Sequence, residues 1–237
     1  MPRCTVTQDN MSGSIPLYLF AKAPVPGQVK TRLERFIGAQ ACAELAQMML
    51  EQSARKVAEF WPGRLVLCVS PAVNHPVFAN LVEELHCETV VQSGDSLGDR
   101  MMNALQQGIS QADRAVVMGC DVPQIEKGVL VEAWQGLKDG QDVIGPAMDG
   151  GFYLLGTHGL PQSVFGRVVW GGNQVLNQVI SQGQAAGIKF KQLDQLRDID
   201  RREDVAWLAR QNLGFQRFGQ LLQQPVDQLL NPDITNT

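Results

Sequence analysis

The chain has 237 residues and a mass of 26.0 kDa, the size of one domain with small additions. Hydrophobic residues make up 44% and charged residues 19%, which allows a packed core and excludes wholesale disorder. Twenty Lys and Arg against twenty-four Asp and Glu leave a net charge of −4. That argues against a protein gripping a long nucleic-acid backbone, while an anion site in a single loop stays open.

No run approaches the roughly 20 apolar residues of a membrane span. The first apolar stretch, Ile15 to Phe20, runs quickly into Lys22, and the polar residues before it do not read as a signal peptide. Five cysteines, Cys4, Cys42, Cys68, Cys87 and Cys120, are odd in number, scattered and free of any Cys-x-x-Cys pair. The histidines, His75, His86 and His158, stand alone. A reducing, cytoplasmic setting is expected, with neither a disulfide framework nor a Cys/His metal site.

Residues 1–14 are polar and predict a flexible tail; a main domain is expected over 15–212 and a helical extension over 213–237. Ile15–Phe20 predicts a strand, followed by a loop over Ala21–Lys30 that contains Pro24, Pro26 and Gly27. Ala39–Phe60 has helical spacing through Leu45, Met48, Met49 and Val57, and Trp61-Pro62-Gly63 ends it. Leu65–Val69 predicts a strand, Val77–Leu85 a helix, Thr89–Val91 a strand and Leu97–Ile109 a helix. Ala115–Met118 predicts a buried strand and Val129–Leu137 a helix. Asp142–Ala147 and Phe152–Leu155 read as strands on either side of Asp149-Gly150-Gly151. A helix around Val175–Ile180, a strand over Ile188–Leu193 and a helix over Arg201–Arg210 complete the domain. In the extension, Leu221, Leu222, Val226, Leu229 and Leu230 predict an amphipathic helix that packs on the domain or on a second copy in a homo-oligomer.

Several strands lack polar alternation, as expected when helices cover both faces. The fold class is therefore α/β, three layers about a mixed, mainly parallel sheet. The strands flanking Asp149 are too close for a helical crossover, so a local antiparallel pair is expected there.

Five stretches could carry chemistry. Phe20 to Leu33 follows the first strand, and ligands of open α/β sheets bind beyond the carboxyl ends of strands. Lys22, Lys30 and Arg32 offer positive charge to a polyphosphate, and Gly27 allows close backbone approach. The spacing fits neither a Walker A loop nor a dinucleotide fingerprint. The bland alternative is a Pro/Gly turn with solvated basic residues. Asp121, just past the Ala115–Met118 strand, could anchor a hard cation or merely cap the next helix. Asp149-Gly150-Gly151 could border a substrate or form a plain hairpin turn.

In Arg197-Asp198-Ile199-Asp200, alternation could turn both carboxylates to one side. Asp200 is the expected helix cap, with Glu203 at the third helical position, which leaves Asp198 as the second metal-ligand candidate. In the fifth stretch, Asp95 is the expected cap of the Leu97 helix; Asp99 and Arg100 could orient a base or ribose or be exposed charges. Cys120 has no base at recognisable spacing and reads as a small buried residue.

In this order the motifs resemble a bacterial family of GT-A-fold transferases, described as glycosyltransferase-like or radical-SAM/selenodomain-associated and related to phospholactate and molybdenum-cofactor guanylyltransferases. The resemblance rests on Phe20 to Leu33, Gln92, Leu97 to Met101, Gly119 with Asp121 and Pro123, Gly145-Pro146, Asp149 to Leu154, Arg197 to Asp200, and Glu203-Asp204. It implies a nucleotide-diphospho-sugar transferase sheet. The resemblance further implies nucleotide binding by Lys22, Pro26, Gly27, Lys30, Thr31, Arg32, Asp99 and Arg100. It also implies Mg2+ or Mn2+ on Asp121 and an acceptor or sugar pocket at Asp149, Gly150 and Gly151. Two departures stand out: Cys120 and Val122 flank Asp121, and Trp170-Gly171-Gly172-Asn173 stands where a Trp-Ser-Thr stretch is common.

The expected activity is metal-dependent transfer from a nucleotide-activated donor, a nucleotide sugar or a nucleoside triphosphate, to a small-molecule acceptor, with Lys30, Arg32 and Asp121 as catalytic residues. The alternative is a non-catalytic nucleotide-binding module of the same fold. Both require Lys30 and Asp121 to face one crevice.

Overall fold

The central strands carry apolar residues on both faces, so they demand cover on both sides. The computed structural model describes residues 14–223 and meets that demand with three layers. Among the described residues, the strands are β1 (Pro16–Lys22), β2 (Arg64–Ser70), β3 (Glu88–Val91), β4 (Ala115–Gly119), β5 (Asp142–Pro146), β6 (Phe152–Thr157) and β7 (Phe190–Gln192). They form one sheet in the order β3-β2-β1-β4-β6-β5-β7. β1 pairs in parallel with β2 and β4, β2 with β3, and β5 with β7. β6 runs antiparallel to both its neighbours, β4 and β5. Every strand except β6 therefore points its carboxyl end to the same rim.

Alternation along the strands divides the core. Leu17, Leu19, Leu65, Leu67, Val116 and Met118 face one side, where α1 (Glu34–Phe60), α2 (Pro76–Leu85) and α4 (Lys127–Lys138) cover them. Tyr18, Val66, Cys68, Ala115 and Val117 face the other, under α3 (Leu97–Ala112), α5 (Ser163–Gly166) and α6 (Val175–Ala185). A third cluster joins the first half of α1, through Ile37, Leu45 and Met49, to α7 (Arg202–Leu208) and α8 (Gln216–Leu221). The described part of the C-terminal extension thus packs on the domain, with Phe215 and Phe218 fully buried. The tail residues 1–13 and the positions Val226, Leu229 and Leu230 lie outside the described residues.

The expected elements recur with shifted ends. The helix expected from Ala39 begins at Glu34, with a break at Gly38 separating a first turn from the long helix. The strand expected over Ile188–Leu193 narrows to Phe190–Gln192, because Ile188 donates back to Gly183 at the end of α6. α5 was not expected: it is a single turn, too short to carry a 3.6-residue period. Among the described residues, no helix is long and apolar enough to cross a membrane.

Candidate active site

The loop after β1 is folded by its own backbone and by two side chains. Ala23 N donates to Ser70 O (2.8 Å), Gln28 N to Val25 O (3.0 Å) and Leu33 N to Lys30 O (2.8 Å). Lys22 Nζ donates across the loop to Gln28 O at 2.8 Å. The Gln92 amide caps the strand ends from β3, donating to Ala21 O (3.2 Å) and Cys68 O (2.9 Å). Val29 and Leu33 anchor the loop in the interior, while Pro26, Gly27, Thr31 and Arg32 stay exposed at the rim.

Lys30, between those anchors, sits in the left-handed region at φ 50°, ψ 35°. For a residue with a side chain that conformation costs about 1 kcal/mol and persists only when neighbours impose it. The neighbours are oxygen atoms. Lys30 Nζ donates to Ile199 O at 2.6 Å, pairs with Asp121 Oδ1 at 2.8 Å and lies 3.9 Å from Asp200 Oδ1. Its side chain is only 7% exposed. Burial alone would lower the ammonium's pKa; the bonded Asp121 and then Asp200 outweigh it and hold Lys30 above the usual lysine value, so it stays charged.

Asp121 is presented by a pinned backbone. Ser53 Oγ donates to Cys120 O (3.2 Å), Lys56 Nζ to Pro123 O (2.8 Å) and Ile199 N to Asp121 O (2.9 Å). Val122 is buried. The carboxylate is left 52% exposed at the rim. It does not cap a helix, since α4 opens only at Lys127 with Glu126 as its cap. Burial pushes the neighbouring Cys120 thiol up to about 12, which makes it inert as a nucleophile at neutral pH.

The opposite wall comes from the β5–β6 turn and the segment after β7. Leu193 N donates to Ile144 O, Leu196 N to Pro146 O and Met148 N to Leu196 O, so this segment continues alongside β5. Ile199 is fully buried, and Asp198 and Asp200 on either side of it both line one chamber of the cleft. Burial first, and then the nearby Asp149 carboxylate, push Asp198 up to about 6. Asp149 accepts from Gly151 N at 2.8 Å, closing the turn. Gly150 (φ 91°) lies so close to the α5–α6 loop that a Cβ would meet Asn173 O at 2.1 Å.

Two chambers meet at Asp149, Gly171, Gly172 and Asp198. One, of about 350 Å³, is walled by Phe20, Leu97, Met101, Phe152, Tyr153 and Trp170, with Asp121 and Asp198 at its edge and no Lys or Arg. The other, of about 670 Å³, holds Arg32, Arg197 and Arg201 with Asp198, Asp200 and Asp204. Arg32 Nη1 pairs with Asp200. Among the described residues, no three His, Cys, Asp or Glu side chains converge as a ready metal cage.

Three expectations need correcting. Asp200 is not the cap of α7. Arg201 takes that position and Asp204, not Glu203, is the acid at the third helical position, accepting from Arg201 N at 2.8 Å. The one-residue slip frees the Asp200 carboxylate for Arg32 and Lys30. Ser96, not Asp95, caps α3. Asp99 is occupied in the reciprocal box, accepting from Ser96 N (3.0 Å) and Ser96 Oγ (2.7 Å), and Arg100 Nε donates to Gly94 O (3.1 Å). From that helix it is Leu97 and Met101 that line the cleft. Sequence reasoning missed Trp170 as a wall residue. It lies against Gly98 at the start of α3 and packs edge-on to Phe165 at 5.5 Å.

This sheet order, with one antiparallel strand and a basic loop facing a carboxylate at its rim, defines the nucleotide-diphospho-sugar transferase and nucleotidyltransferase fold. The chain is similar to a protein from Desulfovibrio desulfuricans G20 assigned as a nucleotide-diphospho-sugar transferase, at 29% identity and a TM-score of 0.77 over 92% of this chain and 96% of that one. It shares its fold with a 4-diphosphocytidyl-2C-methyl-D-erythritol synthase from Anaerococcus prevotii DSM 20548 (11% identity, TM-score 0.54, covering 92% and 100%). A nucleotidyl transferase from Methanothermobacter has the same fold (13% identity, TM-score 0.52, covering 86% and 98%). No curated protein matches the sequence. Residues 53–172 match the family described as "uncharacterized protein conserved in bacteria (DUF2064)", and the chain belongs to that family.

Proposed function

We propose that this protein is a transferase that takes a nucleotide-activated donor, with the basic loop binding the donor's phosphates. One observation carries the reading: a buried ammonium, Lys30, and an exposed carboxylate, Asp121, meet at 2.8 Å where β1 and β4 end, at the mouth of a two-chambered cleft. A buried ammonium paired with a half-exposed carboxylate at the mouth of a cleft is the arrangement that marks functional sites. Lys22, Lys30 and Arg32, with the exposed backbone at Pro26, Gly27 and Thr31, are the proposed phosphate-binding set. Asp99 is taken up in the cap of α3, while Arg100, whose Nε alone is bonded to Gly94 O, keeps its terminal guanidinium nitrogens for the proposed base or ribose contact, beside Leu97 and Met101 on the cleft wall.

Asp121 and Asp198 edge one chamber and offer oxygen donors alone, which fits Mg2+ or Mn2+ completing its shell with water and phosphate. When bound there, such an ion supplies charge neutralisation at the reacting phosphate. Lys30 and Arg32 steady the departing phosphate group and keep its charge from water. Asp149, Gly150 and Gly151 border the acceptor, and Gly171 and Gly172 flank it without offering a hydroxyl.

Nucleotidyl transfer is the favoured version. Asp121 is followed by buried Val122 and Pro123, so the second acid common after this strand in metal-dependent glycosyl transfer is missing. The test is a panel of nucleoside triphosphates and nucleotide sugars with Mg2+ or Mn2+. Pyrophosphate release supports nucleotidyl transfer; nucleoside diphosphate release moves the assignment to glycosyl transfer. The hydroxyl-free Gly171-Gly172 pair favours one further reading, a nucleotide-binding module without turnover. Melting stabilised by nucleotide and metal, with no product from any donor, would establish it.

A further inference from the structure

Every cation of the basic loop already has an internal oxygen partner. Lys30 holds Asp121, Ile199 O and, further off, Asp200; Arg32 holds Asp200; Lys22 holds Gln28 O. The carboxylates stand where donor phosphates would bind the cations, and the ammonium stands where a metal would bind Asp121. We propose that Lys30 is a placeholder cation: its ammonium holds the metal position at Asp121 until the donor's phosphates draw it away, so metal and donor enter together. The inference rests on the donor and metal reading above.

The physical case is one of exchange. A metal arriving alone meets a carboxylate already neutralised by an ammonium 2.8 Å away. A donor arriving alone brings its phosphates to cations still paired with Asp121 and Asp200. When both arrive, Lys30 and Arg32 pass to phosphate and Asp121 passes to the metal, so Lys30, the most buried of these charges, exchanges one anionic partner for another. The left-handed backbone at Lys30 aims the ammonium at Asp121 rather than at solvent. Coupling of this kind is reciprocal, so each ligand raises the affinity of the other.

The test is Mn2+ binding to the full chain without nucleotide, read by the electron paramagnetic resonance of free Mn2+, for wild type, Lys30→Met and Arg32→Met. Lys30→Met should bind Mn2+ at least about tenfold more tightly than wild type, because the competing ammonium is gone. Arg32→Met removes the same charge without touching Asp121 and should stay within about threefold. Equal gains in the two variants overturn the placeholder and leave a bulk charge effect; so does an unchanged Lys30→Met beside a wild type that binds measurably. If none of the three proteins binds Mn2+, the metal reading itself falls, and the placeholder with it. Should Lys30→Met fail to fold, Lys30→Gln, which keeps a donor for Ile199 O but removes the charge, decides in the same assay: a gain of about tenfold or more supports the placeholder, and an affinity equal to wild type overturns it.

Discussion

The two walls of the cleft are held in shape by different means. The β1 loop is held by charge. Lys30 reaches three oxygen atoms, Lys22 ties the loop to itself, and Arg32 is clasped by Asp200. The facing wall is held by missing side chains. Gly150 lets the α5–α6 loop close on the β5–β6 turn, and Leu176 N donates to Gly150 O at 2.9 Å across that junction. A charged wall tells what binds there; a glycine wall tells only that something must fit. Substitutions on the two sides should therefore fail differently, one chiefly in chemistry and the other in folding.

The largest effect belongs to the charged wall. Asp121→Asn keeps the shape but removes the charge that faces Lys30 and, in the proposed reaction, the metal. Turnover should drop by about a thousandfold, on the order of 4 kcal/mol of barrier. Melting should fall by several degrees as well, because the buried Lys30 ammonium is left with Ile199 O and an Asp200 carboxylate 3.9 Å away. Initial rates beside a melting curve check it; a variant that keeps wild-type rate would remove Asp121 from the chemistry.

Next comes the glycine wall. Gly150→Ala puts a methyl group 2.1 Å from Asn173 O in a backbone conformation (φ 91°) that side chains rarely adopt. The contact is with backbone, so it cannot be relieved by a rotamer change. A loss of about 2–3 kcal/mol is expected in urea unfolding. A neutral result would mean the two loops are not docked as described.

A pH experiment probes where the walls meet. Asp198 is pushed up to about 6 from its ordinary 3.8, by burial and then by Asp149. The folded chain thus holds this proton more tightly than the unfolded chain does. Its contribution to stability is complete below 3.8 and is lost as the pH rises through about 6. Asp198→Asn should therefore melt higher than wild type at pH 7.5, by about 2–4 °C or roughly 1 kcal/mol, a figure already discounted for partial solvent access. The gain should fade toward pH 4. A difference that does not change with pH would show that charge on Asp198 is not what strains the fold.

The charged wall was the legible one. Its residues are polar where a buried strand has just ended, and that contrast survives in sequence alone. Strands β1, β2 and β4 were legible for the same reason, being unbroken apolar blocks. The direct Lys30–Asp121 contact was legible only as a requirement, because nothing local encodes which carboxylate a distant lysine finds. The cap of α7 was misplaced because Asp200, Glu203 and Asp204 are all chemically able to serve, and backbone geometry chooses among them. Trp170 was hidden for another reason: an aromatic on a loop reads as surface until the helix it covers, through Gly98, is in place.

The smallest effect sharpens the contrast by using the same residue type on the other wall. Gly27 has φ 77°, close to that of Gly150, yet a Cβ built there meets nothing within 4 Å. Gly27→Ala therefore carries the backbone cost alone, about 0.5–1 kcal/mol. If positive φ were the whole story, the two alanine variants would unfold alike. The expected gap of roughly 2 kcal/mol between them measures the docking of Asn173 on Gly150 by itself. Gly27→Ala should also weaken nucleotide binding out of proportion to its small loss of stability, because the tip of the β1 loop is where a donor's phosphates are proposed to approach the backbone. Nucleotide titration followed by melting temperature reads that difference, and an unchanged affinity would move the phosphates off the loop tip and onto Lys30 and Arg32 alone.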